Sequence, residues 1–163
     1  LFVRLRGAVA AVQSAVVKMS ADAVALGARV QAMDNAEAAQ DWRASTEQTL
    51  PFFDAPSADA CLWRLSVPQT APALDLPYAQ YIEWQGAQRW LWAPASAAAT
   101  VREMAQKVGG HATLFRASAK HAEADKAVGV NTPLDAVQQR IQQQLQKQFD
   151  PKGVFATGRL HPL

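Results

Sequence analysis

From Cys61 to Val67 the chain sets Cys61, Trp63, Leu65 and Val67 against Leu62, Arg64 and Ser66 in strict alternation. Side chains along a strand project to opposite faces with a period of two, so this run predicts a strand with one face on a core. Its other face carries a guanidinium and a hydroxyl, and a strand of that kind needs paired neighbours before it is stable. The neighbours are legible. Ala79–Trp84 and Gln88–Ala93 flank Gln85, Gly86 and Ala87 as a hairpin crowded by Trp84, Trp90 and Trp92, and His111–Arg116 reads as a further strand.

The remaining segments supply helices and connections. Leu1, Val3 and Leu5 alternate with Phe2, Arg4 and Arg6, which predicts a strand, and a second short strand is expected over Ala28–Met33. Val9, Val12, Val16 and Met19 form one stripe of a helix over Ala8–Met19, and Asp34 or Asn35 caps another running to about Gln48. Leu50–Asp59 reads as a loop, and the proline-rich stretch Pro68–Pro77 as an extended crossing segment. Ser96 is expected to cap a helix with Val101, Met104, Ala105 and Val108 on its apolar face, stopped by Gly109 and Gly110. Thr132 as cap, Pro133 at the first helical position and Asp135 near the dipole predict a last helix ending at about Phe149. Its stripe is Leu134, Val137, Ile141 and Leu145, expected to share one core with Trp63, Leu65, Val101, Met104 and Leu114. The fold class is therefore α+β, a largely antiparallel sheet with helices packed on one face and the other face open to a ligand or another domain.

Composition narrows the function classes. The 163 residues are half hydrophobic and 18% charged, enough for a substantial core and against disorder. Ala8–Val17 is broken by Gln13 and Ser14, and nothing approaches the roughly 20 apolar residues of a membrane-spanning helix. The net charge is +2 with the 16 Lys and Arg scattered, so no basic stripe tracks a nucleic acid. One cysteine, Cys61, makes neither an internal disulfide nor a multi-cysteine metal cage, and its place on the apolar face marks it as a small buried hydrophobe. The chain opens on Leu1 with a strand pattern, from which we expect a piece cut from a longer chain at a domain boundary.

No phosphate loop, dinucleotide glycine fingerprint, zinc-protease helix or nucleophile elbow is present. What the sequence offers is Arg64 and Ser66 on one strand and His111 and Thr113 on another, four side chains that share the open face if both strands lie in one sheet. Arg64 is suited to a carboxylate, and His111 to a role as base or hydrogen-bond donor. Each also has a plainer reading: Arg64 as an exposed strand arginine, His111 as a donor to the preceding helix end. Arg116 has the opposite strand parity to His111, so a joint role requires a bulge.

Four segments together, Leu62–Pro68, Tyr81–Gly86, Gly109–Arg116 and Phe149–Arg159, resemble the FAD-binding E subunit of bacterial glycolate oxidases, within the FAD-linked oxidases of the vanillyl-alcohol oxidase type. The resemblance implies that these residues are the C-terminal half, with 1–149 as the cap or substrate domain and 150–163 as a tail returning to an FAD-binding domain outside this chain. It implies, for the whole protein, oxidation of glycolate to glyoxylate with FAD as hydride acceptor, and an isolated piece that holds no FAD and is inactive. Its partners would be a small 2-hydroxyacid, a second flavin subunit and an iron–sulfur subunit, in the cytoplasm, with membrane association only through those subunits. From the open face, His111 is the catalytic candidate and Arg64, Ser66, Thr113 and Arg116 are the substrate-binding candidates, and no metal is expected; the resemblance adds Thr157, Gly158 and Arg159 as backbone contacts to the cofactor. The family tail commonly reads Asn-Pro-Gly-Arg, and Ala156 and Thr157 stand at its first two positions, so no asparagine side chain reaches the flavin from there. The paired-histidine motif of the sister flavin subunit has no match, since His111 is followed by Ala112, Thr113 and Leu114, which favours a supportive subunit. The alternatives are a non-catalytic subunit-contact domain and an unrelated small-ligand α+β domain.

Overall fold

The computed structural model describes residues 1–155, which divide into two compact units, Leu1–Leu50 and the chain from Pro51 onward. The first unit holds helices α1 (Val9–Ala25) and α2 (Asn35–Thr46). Asp34 caps α2 as expected, its carboxylate accepting from the amides of Ala36 at 2.8 Å and Glu37 at 3.4 Å. The strands expected over Leu1–Arg6 and Ala28–Met33 do not form. Alternation prepares a segment for one-sided burial, but a strand also needs a partner for its amides, and neither segment has a ladder neighbour.

In the second unit β1 (Cys61–Ser66), β2 (Gln80–Glu83), β3 (Gln88–Ala93) and β4 (His111–Arg116) make one antiparallel sheet in the order β2-β3-β1-β4. On the inner face Cys61, Trp63 and Leu65 meet Leu91, Ala93, Ala112 and Leu114 from the flanking strands. Helix α3 (Ala98–Lys107) lays Ala98, Val101 and Ala105 across them, and the Trp63 indole donates to the Ala93 carbonyl at 3.2 Å. Ser96 does not cap α3, because a 3-10 turn over Ala95–Ala97 leads into the helix and no side chain bonds at its start. The stop at Gly109 is as read, with φ +80°. Gly110 is required by close approach, since a Cβ there would lie 2.3 Å from the Ser66 carbonyl oxygen.

Two arginines are buried in this frame. Arg89 donates to the carbonyls of Pro72, Ala71 and Gly86 at 2.7, 2.8 and 3.1 Å, which ties the proline-rich crossing segment to the β2–β3 turn. That turn carries left-handed backbone at Trp84 and Gln85. Arg102 lies over the Trp63 ring and donates to the carbonyls of Val128 and Gly129, holding the segment that follows helix α4 (Ala122–Lys126). Residues 130–132 then run beside β4, through Leu114 N–H to Val130 O at 2.8 Å, Thr132 N–H to Ala112 O at 3.1 Å and a bridge between Thr113 and Asn131.

Helix α5 (Ala136–Phe149) departs from expectation in two respects. Its cap is Asp135, joined reciprocally with Gln138, whereas Thr132 bonds to the backbone of Ala112. Its stripe is also uncovered: Val137, Ile141 and Leu145 are 56%, 53% and 53% exposed, and Met104 and Leu134 are only partly buried. Helical periodicity reports that a face is apolar, and it does not say that the covering surface lies in the same stretch of chain. Leu65→Ala should therefore lower stability by about 2–5 kcal/mol. Ile141→Ala should change it by no more than about 0.5 kcal/mol. Urea midpoints of the two variants check the assignment; equal losses would contradict it.

Candidate functional site

The register sorts the outer face of the sheet into rows. One row reads Tyr81, Trp90, Arg64, Thr113 and Asn131, and the next reads Glu83, Gln88, Ser66 and His111. Arg64, Ser66, His111 and Thr113 therefore do share a face, with Arg64 opposite Thr113 and Ser66 opposite His111. Arg116 joins that face at the far end. The pairing steps from Trp63 with Leu114 to Leu62 with Arg116, so Phe115 is the extra residue of a bulge and the parity of Arg116 is reversed.

The far end of the face is closed by aromatic rings rather than open to solvent. The 3-10 turn Pro51–Phe53 seats Phe53 edge-on to Trp90 at 5.6 Å and stacks Phe52 on Tyr81 at 5.3 Å. The Trp92 indole donates to Phe52 O at 2.7 Å, and Arg116 donates to Phe53 O at 3.3 Å while lying over the Trp92 ring. Glu83 accepts from the Trp90 indole at 2.7 Å and from Gln88 at 3.0 Å. Arg116 and Glu83 are thus engaged in holding the aromatic layer.

Arg64 is different. It is half-buried, with its guanidinium over the Phe115 ring at 5.7 Å, and among the described residues it has neither a hydrogen bond nor a carboxylate partner. His111 is exposed at the start of β4 and lines a cleft of about 670 Å³ with Gln106, Asn131, Thr132, Asp135 and Gln138. The sequence reading missed Asn131, which both completes the Arg64 row and lines the cleft, because it lies in a polar stretch without periodicity.

A second polar group supports the fold. Asp125 accepts from the amide and hydroxyl of Ser118, and that hydroxyl accepts from His121 N–H at 3.0 Å. The Ser118 hydroxyl holds the Asp125 carboxyl below its ordinary range, and burial pushes the Cys61 thiol up, keeping it protonated and inert. Burial alone lowers the Arg102 guanidinium. Among the described residues no group of three or more His, Cys, Asp or Glu is placed to hold a metal ion, and no helix is long and apolar enough to cross a membrane.

Over 124 residues, 76% of this chain, the sequence is 37% identical to the glycolate oxidase subunit GlcE of Escherichia coli (strain K12). The chain is a homologue of glycolate oxidase subunit GlcE. It spans about a third of that relative's length, the match covering 32% of it. No protein-family model and no solved structure matches the chain. The cleft at His111 does not fit the FAD that the sequence resemblance implies. The cleft's lining contains no Lys or Arg for a diphosphate, and its one acidic group, Asp135, would repel it. The rings of the outer face are packed against each other. Thr157, Gly158 and Arg159 lie outside the described residues.

Because the folded-state pKa of Asp125 is depressed, its stabilisation is present above the unfolded value of about 3.9 and is lost as pH falls through the folded value. Asp125→Asn should accordingly lower the urea midpoint at pH 7, with the difference from wild type shrinking below about pH 4. A pH-independent difference would contradict the assigned role of the carboxylate.

Proposed function

We propose that this chain is the substrate-side domain of a GlcE-type subunit in a glycolate oxidase, corresponding to the C-terminal part of that subunit. The observation that carries the reading is Arg64, a half-buried cation with no anionic partner among the described residues, set between Trp90 and Thr113. A guanidinium presents parallel donors that match two carboxylate oxygens, so the vacant edge of Arg64 suits the carboxylate of a 2-hydroxyacid. His111 is its diagonal neighbour across β1 and β4, and such positions are roughly 7–8 Å apart. Long side chains can close on a two-carbon acid across that gap.

In this reading Arg64 anchors the carboxylate, Ser66 and Thr113 add hydroxyl contacts, and the His111 imidazole accepts the proton of the substrate hydroxyl. Oxidation at Cα also requires a hydride acceptor. FAD is the acceptor in this reading, and it would be bound by parts of the protein other than the described residues, with 1–149 on the substrate side and 150–163 as the tail toward it. The other subunits of the oxidase, a second flavin subunit and an iron–sulfur subunit, are the expected partners, in a cytoplasmic enzyme. A subunit-contact role is the second reading, favoured by the uncovered stripe of α5.

Arg64→Lys in the full-length subunit, assembled with its partners, should mainly raise the KM for glycolate, because an ammonium cannot reproduce the two-pronged contact. His111→Ala should lower kcat by about 10²–10⁴-fold. Steady-state kinetics check both, and wild-type values for both would leave the subunit-contact reading in place. The purified 163-residue chain is expected to show no flavin absorbance bands. A yellow 1:1 complex that survives dialysis would overturn that assignment.

A further inference from the structure

We infer that Phe115 is a positioning residue for Arg64: the bulge in β4 places an aromatic ring under the guanidinium, orienting it while leaving its hydrogen-bond donors vacant. The inference rests on the reading of Arg64 as a carboxylate anchor. Its physical basis lies in how the arginines in and against this sheet are held. Arg89 donates to three backbone carbonyls, Arg102 to those of Val128 and Gly129, and Arg116 to that of Phe53, so in each case donors are consumed by the fold. An acidic neighbour would do the same to Arg64 and would also neutralise it. A ring face instead attracts the cation through its quadrupole and leaves the in-plane N–H groups unused.

The ring is itself fixed from behind. Phe115 meets Trp90 edge-to-face at 4.9 Å and 83°, Trp90 meets Phe53 in the same manner at 5.6 Å, and the Trp90 indole is tethered to Glu83 at 2.7 Å. Trp90 is 3% exposed, so this support is not free to move, whereas Phe115 itself is 43% exposed at the rim where Arg64 reaches solvent. An arginine on a bare strand samples many rotamers, and ordering one on binding costs conformational entropy. Holding it over Phe115 beforehand removes part of that cost.

The test uses Phe115→Leu, with Phe115→Tyr as the conservative rescue and Phe115→Met as the substitute if the leucine variant does not fold. In the 163-residue chain, the Arg64 Nε–Hε resonance should be displaced by the ring current in wild type and in Phe115→Tyr. It should return to its unshifted position in Phe115→Leu, while the backbone amide spectrum stays that of the folded chain. In the assembled full-length oxidase, Phe115→Leu should raise the KM for glycolate about two- to fivefold with kcat little changed, and Phe115→Tyr should restore it. An Arg64 resonance that does not move in Phe115→Leu overturns the positioning role whatever the kinetics are. A resonance that moves while neither Phe115→Leu nor Arg64→Lys alters KM supports the contact with Phe115 and overturns the carboxylate anchor on which its function depends.

Discussion

The structure depends on β1 being enclosed. Cys61, Leu62, Trp63 and Leu65 are all fully buried, and for the consecutive residues Cys61, Leu62 and Trp63 this means that both faces of the strand are covered. Fully burying each large apolar side chain is worth about 1.5–3 kcal/mol, so this strand is the densest source of stability from Pro51 onward. The two faces are covered differently. Helix α3 seals the inner face with small and branched residues, and the aromatic layer of Phe53, Trp90 and Trp92 seals the outer face only at the Leu62 end. Arg64 sits where that second layer stops, which is why a charged residue can occupy the middle of such a strand.

Much of this could be read from residues, and what could not has physical causes. The observed bounds of β1, β3 and β4 lie within a residue of those expected, because alternation over six residues against a paired neighbour leaves one workable register. The common face of Arg64, Ser66, His111 and Thr113 follows from parity once β1 and β4 are paired in one sheet. Partnership is what a pattern cannot carry: Leu1–Arg6 and Ala28–Met33 alternate without pairing, and the stripe of α5 is periodic without being covered. Nor does a sequence mark which arginines go inside. Arginine is mostly found on surfaces, yet Arg89 and Arg102 are buried because unpaired loop carbonyls from Pro72, Ala71, Val128 and Gly129 surround them.

Those two arginines also explain how irregular segments are held close enough to the sheet to serve a site. Residues 130–132 gain only a few backbone bonds along β4, too few to fix a loop against its conformational entropy. Arg102 adds charge-assisted donors to Val128 and Gly129 just before them, and its guanidinium lies over the Trp63 ring. Through this contact the inner core sets the position of Asn131 and Thr132, which in turn form one wall of the cleft at His111.

The bulge at Phe115 connects the demands of folding with those of the outer face. Ala112 and Leu114 point into the core, so an unbroken strand would send Arg116 after them toward the apolar layer around Cys61 and Ala93. An unpaired cation there would cost several kcal/mol. Inserting one residue reverses the parity, and Arg116 instead lies over Trp92 and bonds to Phe53 O, where it helps close the aromatic layer. The inserted residue must then go outward, beside Thr113 and Arg64, and there an aromatic side chain is compatible both with Trp90 behind it and with the cation above it. One extra residue thus removes a charge from the core and sets the surface on which Arg64 is held.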